Sequence, residues 1–166
     1  MDHPNLPSAP SFYLNLHTAN PALSLEFFTS LGFTPVPQFS DEQTKSFRLP
    51  APNANVCLML HAHKRFKEFI RPGTETNDAT KTTEALFTIA VDAKERVDEA
   101  IDKAVKAGGS PDPFVMEGYG QGMGMYSRSF ADLDGHIWEV SFMGVGGGCE
   151  GKEEGKEGEG KEEEGK

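Results

Sequence analysis

Tyr13-Leu14-Asn15-Leu16-His17-Thr18-Ala19-Asn20-Pro21-Ala22-Leu23-Ser24-Leu25-Glu26-Phe27-Phe28-Thr29-Ser30-Leu31-Gly32-Phe33 reads as a strand, a helix start, a helix and a stop. Leu14 and Leu16 alternate with polar neighbours, the period of a half-buried strand. Asn20 is a favoured cap and Pro21 suits the first helical position. Leu23, Phe27, Phe28 and Leu31 then fall on one helical face, and Gly32 closes the helix. Residues 86–109 carry the same unit again. Phe87, Ile89 and Val91 alternate, and Asp92-Ala93-Lys94-Glu95 has the form of a capping box. Val97, Ala100, Ile101, Ala104 and Val105 make a helical stripe that ends at Gly108-Gly109. A unit written twice implies two pseudo-symmetric halves with a site at their joint.

Working outward, each unit precedes shorter strand-like runs. In the first half these cover residues 34–39, 44–49 and 56–60, with Pro35 and Pro37 making the first an edge. In the second half they cover residues 114–117, 125–130 and 136–142, the last two as a hairpin around Asp132-Leu133-Asp134-Gly135. A glycine-rich stretch from Gly118 to Met125 reads as a plain long loop or as a flap over the opening. Between the halves, residues 64–70 suit a short helix and residues 71–83 a linker rich in Thr, Gly and Asn. The order strand, helix, three strands, twice over, gives an α+β fold. Paired βαβββ modules form a cup-shaped, half-barrel mixed sheet with helices on the outer face. The domain is expected over residues 11–144, with halves at about 11–63 and 84–144. Residues 1–10 form an arm, and the Gly/Glu/Lys segment 145–166 is too polar to fold.

The net charge is −10, of which the eight Glu and four Lys of the tail contribute −4. An acidic body disfavours nucleic acid and anionic lipid as partners. No apolar run approaches the roughly 20 residues of a membrane span. The polar opening Met1-Asp2-His3-Pro4 lacks the pattern of a secretory signal. Cys57 in a strand and Cys149 in the tail make no disulfide framework, so a cytoplasmic setting is expected. Neither a nucleophile-elbow string nor a phosphate-cradling glycine motif is present.

Tyr13-Leu14-Asn15-Leu16, Leu25-Glu26-Phe27-Phe28 and Leu31-Gly32-Phe33, with the ending Ser129-Phe130-Ala131-Asp132-Leu133-Asp134-Gly135-His136-Ile137-Trp138-Glu139, resemble the vicinal oxygen chelate superfamily. That superfamily holds glyoxalases, bleomycin-resistance proteins and extradiol dioxygenases, and the resemblance covers about residues 12–143. It implies a ligand cup and, in metal-using members, four His, Glu or Gln ligands from the first and fourth strands of each half. Carried over, those places fall on Tyr13, near Leu58, on Leu86 and on Glu139, so the pattern is kept at one place in four.

Strand alternation directs Tyr13, Asn15 and His17 to one face, and likewise Leu86, Thr88 and Ala90, and Ile137, Glu139 and Ser141. Glu139 is the candidate catalytic base, substrate contact or metal ligand. Tyr13, Asn15, Thr88, Tyr126 and Arg128 are the candidate substrate-binding residues, Arg128 through its planar fork, with ordinary pairing to Asp or Glu the other reading of Arg128. His17 could share a divalent ion (Zn, Ni, Fe or Mn) with Glu139. His61-Ala62-His63 resembles a metal pair but is followed by Lys64-Arg65, which repels a cation; His136 reads as structural. Two functions remain open at this point: a lactoylglutathione lyase-like or dioxygenase-like enzyme, and a metal-free protein that sequesters a small molecule. A homodimer is compatible with either.

Overall fold

A computed structural model describes residues 10, 12–118, 120, 122 and 124–144. The expected arm and tail, Cys149 and part of the glycine-rich stretch lie outside the described residues. The first half runs β1 (Phe12–Thr18), α1 (Pro21–Ser30), β2 (Thr34–Pro35), a 3-10 turn (Pro37–Phe39), β3 (Thr44–Arg48) and β4 (Val56–Ala62). A one-turn helix α2 (His63–Phe66) and the linker follow. The second half runs β5 (Leu86–Val91), α3 (Lys94–Lys106), β6 (Ser110–Pro111), β7 (Met125–Ala131) and β8 (Ile137–Met143). Each half is a four-stranded mixed sheet with the same order, β1-β4-β3-β2 and β5-β8-β7-β6. The first and fourth strands of each half pair in parallel, Tyr13 opposite Cys57 and Thr88 opposite Glu139. The two sheets do not close into one.

Three local expectations need correction. Pro35 and Pro37 cut the second strand to two residues and turn the rest into 3-10 helix. The capping box does not form: Ala93 occupies the cap position of α3, with no side-chain hydrogen bond. The second strand of the second half is Ser110–Pro111 rather than residues 114–117, because β6 pairs with the end of β7 directly after the helix. At α1 the reading holds, since Asn20 Oδ1 accepts from the N–H groups of Ala22 and Leu23. Leu23, however, stays half exposed, and Ser24 is buried in its place against Thr18.

One core serves both halves. Leu14 and Leu16 join Leu58, Leu60, Ile89, Val97, Ile101 and Val140 beneath α1 and α3. Phe28 touches Phe47 of the first sheet and Trp138 of the second, with centroids 5.7 and 5.5 Å apart. The pseudo-twofold shows at the joint. The loop before β4 grips the end of β5, where Asn53 donates to Ala90 O and accepts from Ala90 N at 2.8 and 3.1 Å. The loop before β8 grips the end of β1, where Asp134 Oδ1 accepts from Ala19 N and His136 Nε2 donates to His17 O.

Asp132 makes that second loop rigid. Its Oδ1 accepts from the N–H groups of Asp134 and His136, and its Oδ2 accepts from the Trp138 indole at 3.0 Å. Burial pushes its carboxyl above the usual range, opposed by His136 and these donors.

Candidate functional site

The face away from the helices is the cup. Its second-half floor is set by register: Thr88 and Ser129 both lie opposite Glu139, and Ser127 opposite Ser141. Thr88 donates to Glu139 Oε2 at 2.8 Å. Among the described residues no cation lies within ion-pairing distance of Glu139. Glu139 lines a cavity of about 230 Å³ with Ser127, Ser129, the loop residues Phe114, Val115 and Met116, and the ion pair Arg128–Asp112. Val115 and Met116 are largely exposed, so apolar surface waits at the rim. Ser129 is committed to Phe114 O, whereas the buried Ser141 Oγ has no partner among the described residues.

On the first-half floor, Tyr13 and Asn15 are exposed. Asn15 Oδ1 accepts from His61 Nε2 at 3.0 Å, and Thr44 Oγ1 donates to His61 Nδ1 at 2.9 Å. Both nitrogens of His61 are therefore occupied, and burial lowers its pKa. This relay was not legible beforehand, although the His61-x-His63 pair signalled something unusual there.

Tyr126 and Arg128, expected in the cup, have the core-side parity of β7, although Arg128 with its partner Asp112 also lines the Glu139 cavity. They lie across from Phe142 and Val140, which pack on the core side. Arg128 holds Asp112 with two nitrogens, at 2.6 and 3.2 Å, and Asp98 of α3 at 2.9 Å. Tyr126 donates its hydroxyl to the same Asp98, under Lys94 at 4.7 Å from the ring centroid. Arg128 beside Asp98 holds that carboxyl below its ordinary range. This network anchors α3 to β7. The signal that gives the parity is Phe130, two residues on and fully buried.

His17 and Glu139 are not brought together; they line different cavities. His17 borders a larger one, about 430 Å³, in the seam between the β1 edge and the beginnings of β5 and β8. Its ring packs 4.5 Å from His63, 5.1 Å from His136 and 5.7 Å from Phe66. Nε2 donates to Asn77 O at 2.8 Å, and Nδ1 is buried without a partner among the described residues. Burial, then the charge of His136, pushes its pKa down.

Residues 12–140 match the family model for the Glyoxalase/Bleomycin resistance protein/Dioxygenase superfamily. The chain belongs to this superfamily. A hypothetical protein of S. aureus is 25% identical with a TM-score of 0.61, over 80% of this chain and 92% of that one. A glyoxalase/bleomycin resistance protein/dioxygenase family enzyme of Burkholderia phytofirmans is 19% identical with a TM-score of 0.63, over 79% and 96%. The fosfomycin resistance protein FosX of Listeria monocytogenes, solved with Mn(II) and sulfate, is 16% identical with a TM-score of 0.57, over 84% and 94%. No curated protein matches the chain in sequence.

Superfamily membership raises the question of a metal, and the residues do not fit one. Leu58 lies in the core on the helix side, and Leu86 carries no donor. Cys57, which shares the cup parity of Tyr13, is fully buried with its thiol pushed up by burial. His61 and the Nε2 of His17 are committed elsewhere. Among the described residues no three His, Cys, Asp or Glu side chains converge on one point. Stable divalent sites need about three or more protein donors at fixed distances.

Proposed function

We propose that this superfamily member binds a small organic molecule in the cup, and that the Glu139 carboxylate, with no metal between, accepts the ligand's hydrogen-bond donor. One observation carries this reading: among the described residues the half-buried Glu139 carboxylate has the Thr88 hydroxyl as its hydrogen-bond partner and no ion-pair partner, and it lines a cavity whose other charged residues, Arg128 and Asp112, are paired with each other. A carboxylate so placed accepts hydrogen bonds only, so its complement is an ammonium, amidinium or hydroxyl group. The apolar part of such a ligand would cover Phe114, Val115 and Met116. Binding or sequestration is the favoured activity. The same unpaired carboxylate can accept a proton from a bound molecule, which is the enzymatic reading of this site.

Calorimetric titration with aromatic amines such as tryptamine tests it, using indole-3-propionate as the anionic control. The amine is expected to bind and the anion not to. Glu139→Gln keeps the shape and the Thr88 contact but removes the charge, and should weaken the amine about tenfold or more, the worth of one charged hydrogen bond. Equal binding of amine and anion, or indifference to Glu139→Gln, would contradict the reading.

A further inference from the structure

Two neighbours of Glu139 shape its cavity: the ion pair Arg128–Asp112, and the loop that carries Phe114, Val115 and Met116. β6 pairs with β7 only at Ser110–Ala131 and Pro111–Phe130, so the rest of that β7 edge meets no strand among the described residues. The ladder gains one more bond, from Asp112 N to Ser129 O at 2.8 Å, and then the chain turns. Asp112 makes the turn at φ +45°, the sole positive φ outside glycine among the described residues. Aspartate tolerates that conformation better than most side chains do.

From there residues 113–118 form neither helix nor strand. Their one polar tie among the described residues is the 3.3 Å contact from Ser129 Oγ to Phe114 O. Val115 is 76% exposed and Met116 52%, so packing on the protein does little to place them. The strong hold on the loop is at its start. Arg128 grips the Asp112 carboxylate through Nη2 at 2.6 Å and Nε at 3.2 Å, while Nη1 reaches Asp98 of α3 at 2.9 Å. Both side chains of the Arg128–Asp112 pair are mostly covered, and a two-point fork fixes direction as well as distance. Arg128 thereby ties one wall of the cavity to a helix of the core.

We propose that Asp112 and Arg128 determine the specificity of the Glu139 cavity. Their forked pair aims the 113–118 loop so that Phe114, Val115 and Met116 form an apolar wall, which selects ligands with a large apolar body over short ones. Both act as positioning residues, through the loop. Selection of this kind rests on the cup being the ligand site. Tryptamine and propylamine share an ammonium group and differ in the aromatic body, so both are titrated into the full chain and followed by chemical shift. The unaltered chain is expected to bind tryptamine about tenfold or more above propylamine. Asp112→Asn keeps the side-chain size and its tolerance of the turn but loses the charge. It should cut that ratio about fivefold and leave propylamine affinity unchanged. Arg128→Lys, which keeps the charge and loses the fork, should do the same. Asp98→Asn, which weakens only the helix side of the network, should leave the ratio intact. ¹⁵N relaxation of the 114–116 amides without ligand should show greater mobility in Asp112→Asn and Arg128→Lys, and no change in Asp98→Asn. The proposal is overturned if the unaltered chain binds both amines equally, or if Asp98→Asn lowers the ratio as much. It is also overturned if the ratio survives Asp112→Asn and Arg128→Lys while Glu139→Gln weakens both amines, an outcome that leaves the cup reading standing. Binding of neither amine contradicts the cup reading and, with it, this selection.

Discussion

Asp132 shows how much one side chain can fix. It satisfies two backbone N–H groups and the Trp138 indole while nearly buried itself. Asp132→Ala leaves that indole N–H unsatisfied in the core, and should cost about 3 kcal/mol in urea denaturation. A second prediction concerns pH. His17 and His61 are held neutral, chiefly by burial, with pKa values below the ordinary one. The unfolded chain therefore takes up protons first as pH falls below about 6.5, and stability should decline from there downwards. It should level off once the folded imidazoles are themselves protonated. The urea midpoint is expected to be lower at pH 5.5 than at pH 7.5, with part of the difference gone in His17→Phe. Residue by residue, the sequence is legible where alternation is applied and opaque where remote segments meet. Glu139 is readable as an inward charge within an apolar strand. Tyr126 goes astray because the parity set by Phe130 is not carried along β7, whereas Arg128 borders the Glu139 cavity but spends its guanidinium on Asp98 and Asp112. The surroundings of His17 come from His63, Phe66, Asn77 and His136, which no local pattern connects.

Among elements, the strands and helices with strong periodicity are readable and the short ones are not. α1 carries its cap, proline and stop in sequence, and the structure uses all three. α3 is readable from its stripe, of which Val97, Ile101 and Ala104 are buried, but its cap is not. β6 has only two residues, so it holds no period to detect. The linker over the seam is the element whose placement depends most on one position. A Cβ placed on Gly135 would lie 2.8 Å from Thr80 N. Gly135→Ala should displace residues 79–80, raise amide exchange across the linker and leave α1 and α3 protected. Unchanged linker protection would show that this close approach does not hold the linker.

For the whole molecule, the repeat is the most informative property of the chain, because two sheets of the same strand order share one core. Phe28 bridges both sheets, and each half's last loop clasps the other half's first strand. Superfamily membership supplies the cup, but the chain places a lone carboxylate there instead of a converging donor set. No helix among the described residues is long and apolar enough to cross a membrane. The central claim is that the cup captures its ligand through Glu139 itself. Backbone amide mapping of the full chain with tryptamine, first in chelator and then with added Zn(II) or Mn(II), tests this most directly. Shifts clustered at Thr88, Ser127, Ser129 and Glu139 in chelator, unchanged by metal, are the expected result. Shifts at those residues that emerge only after the metal is added would contradict it.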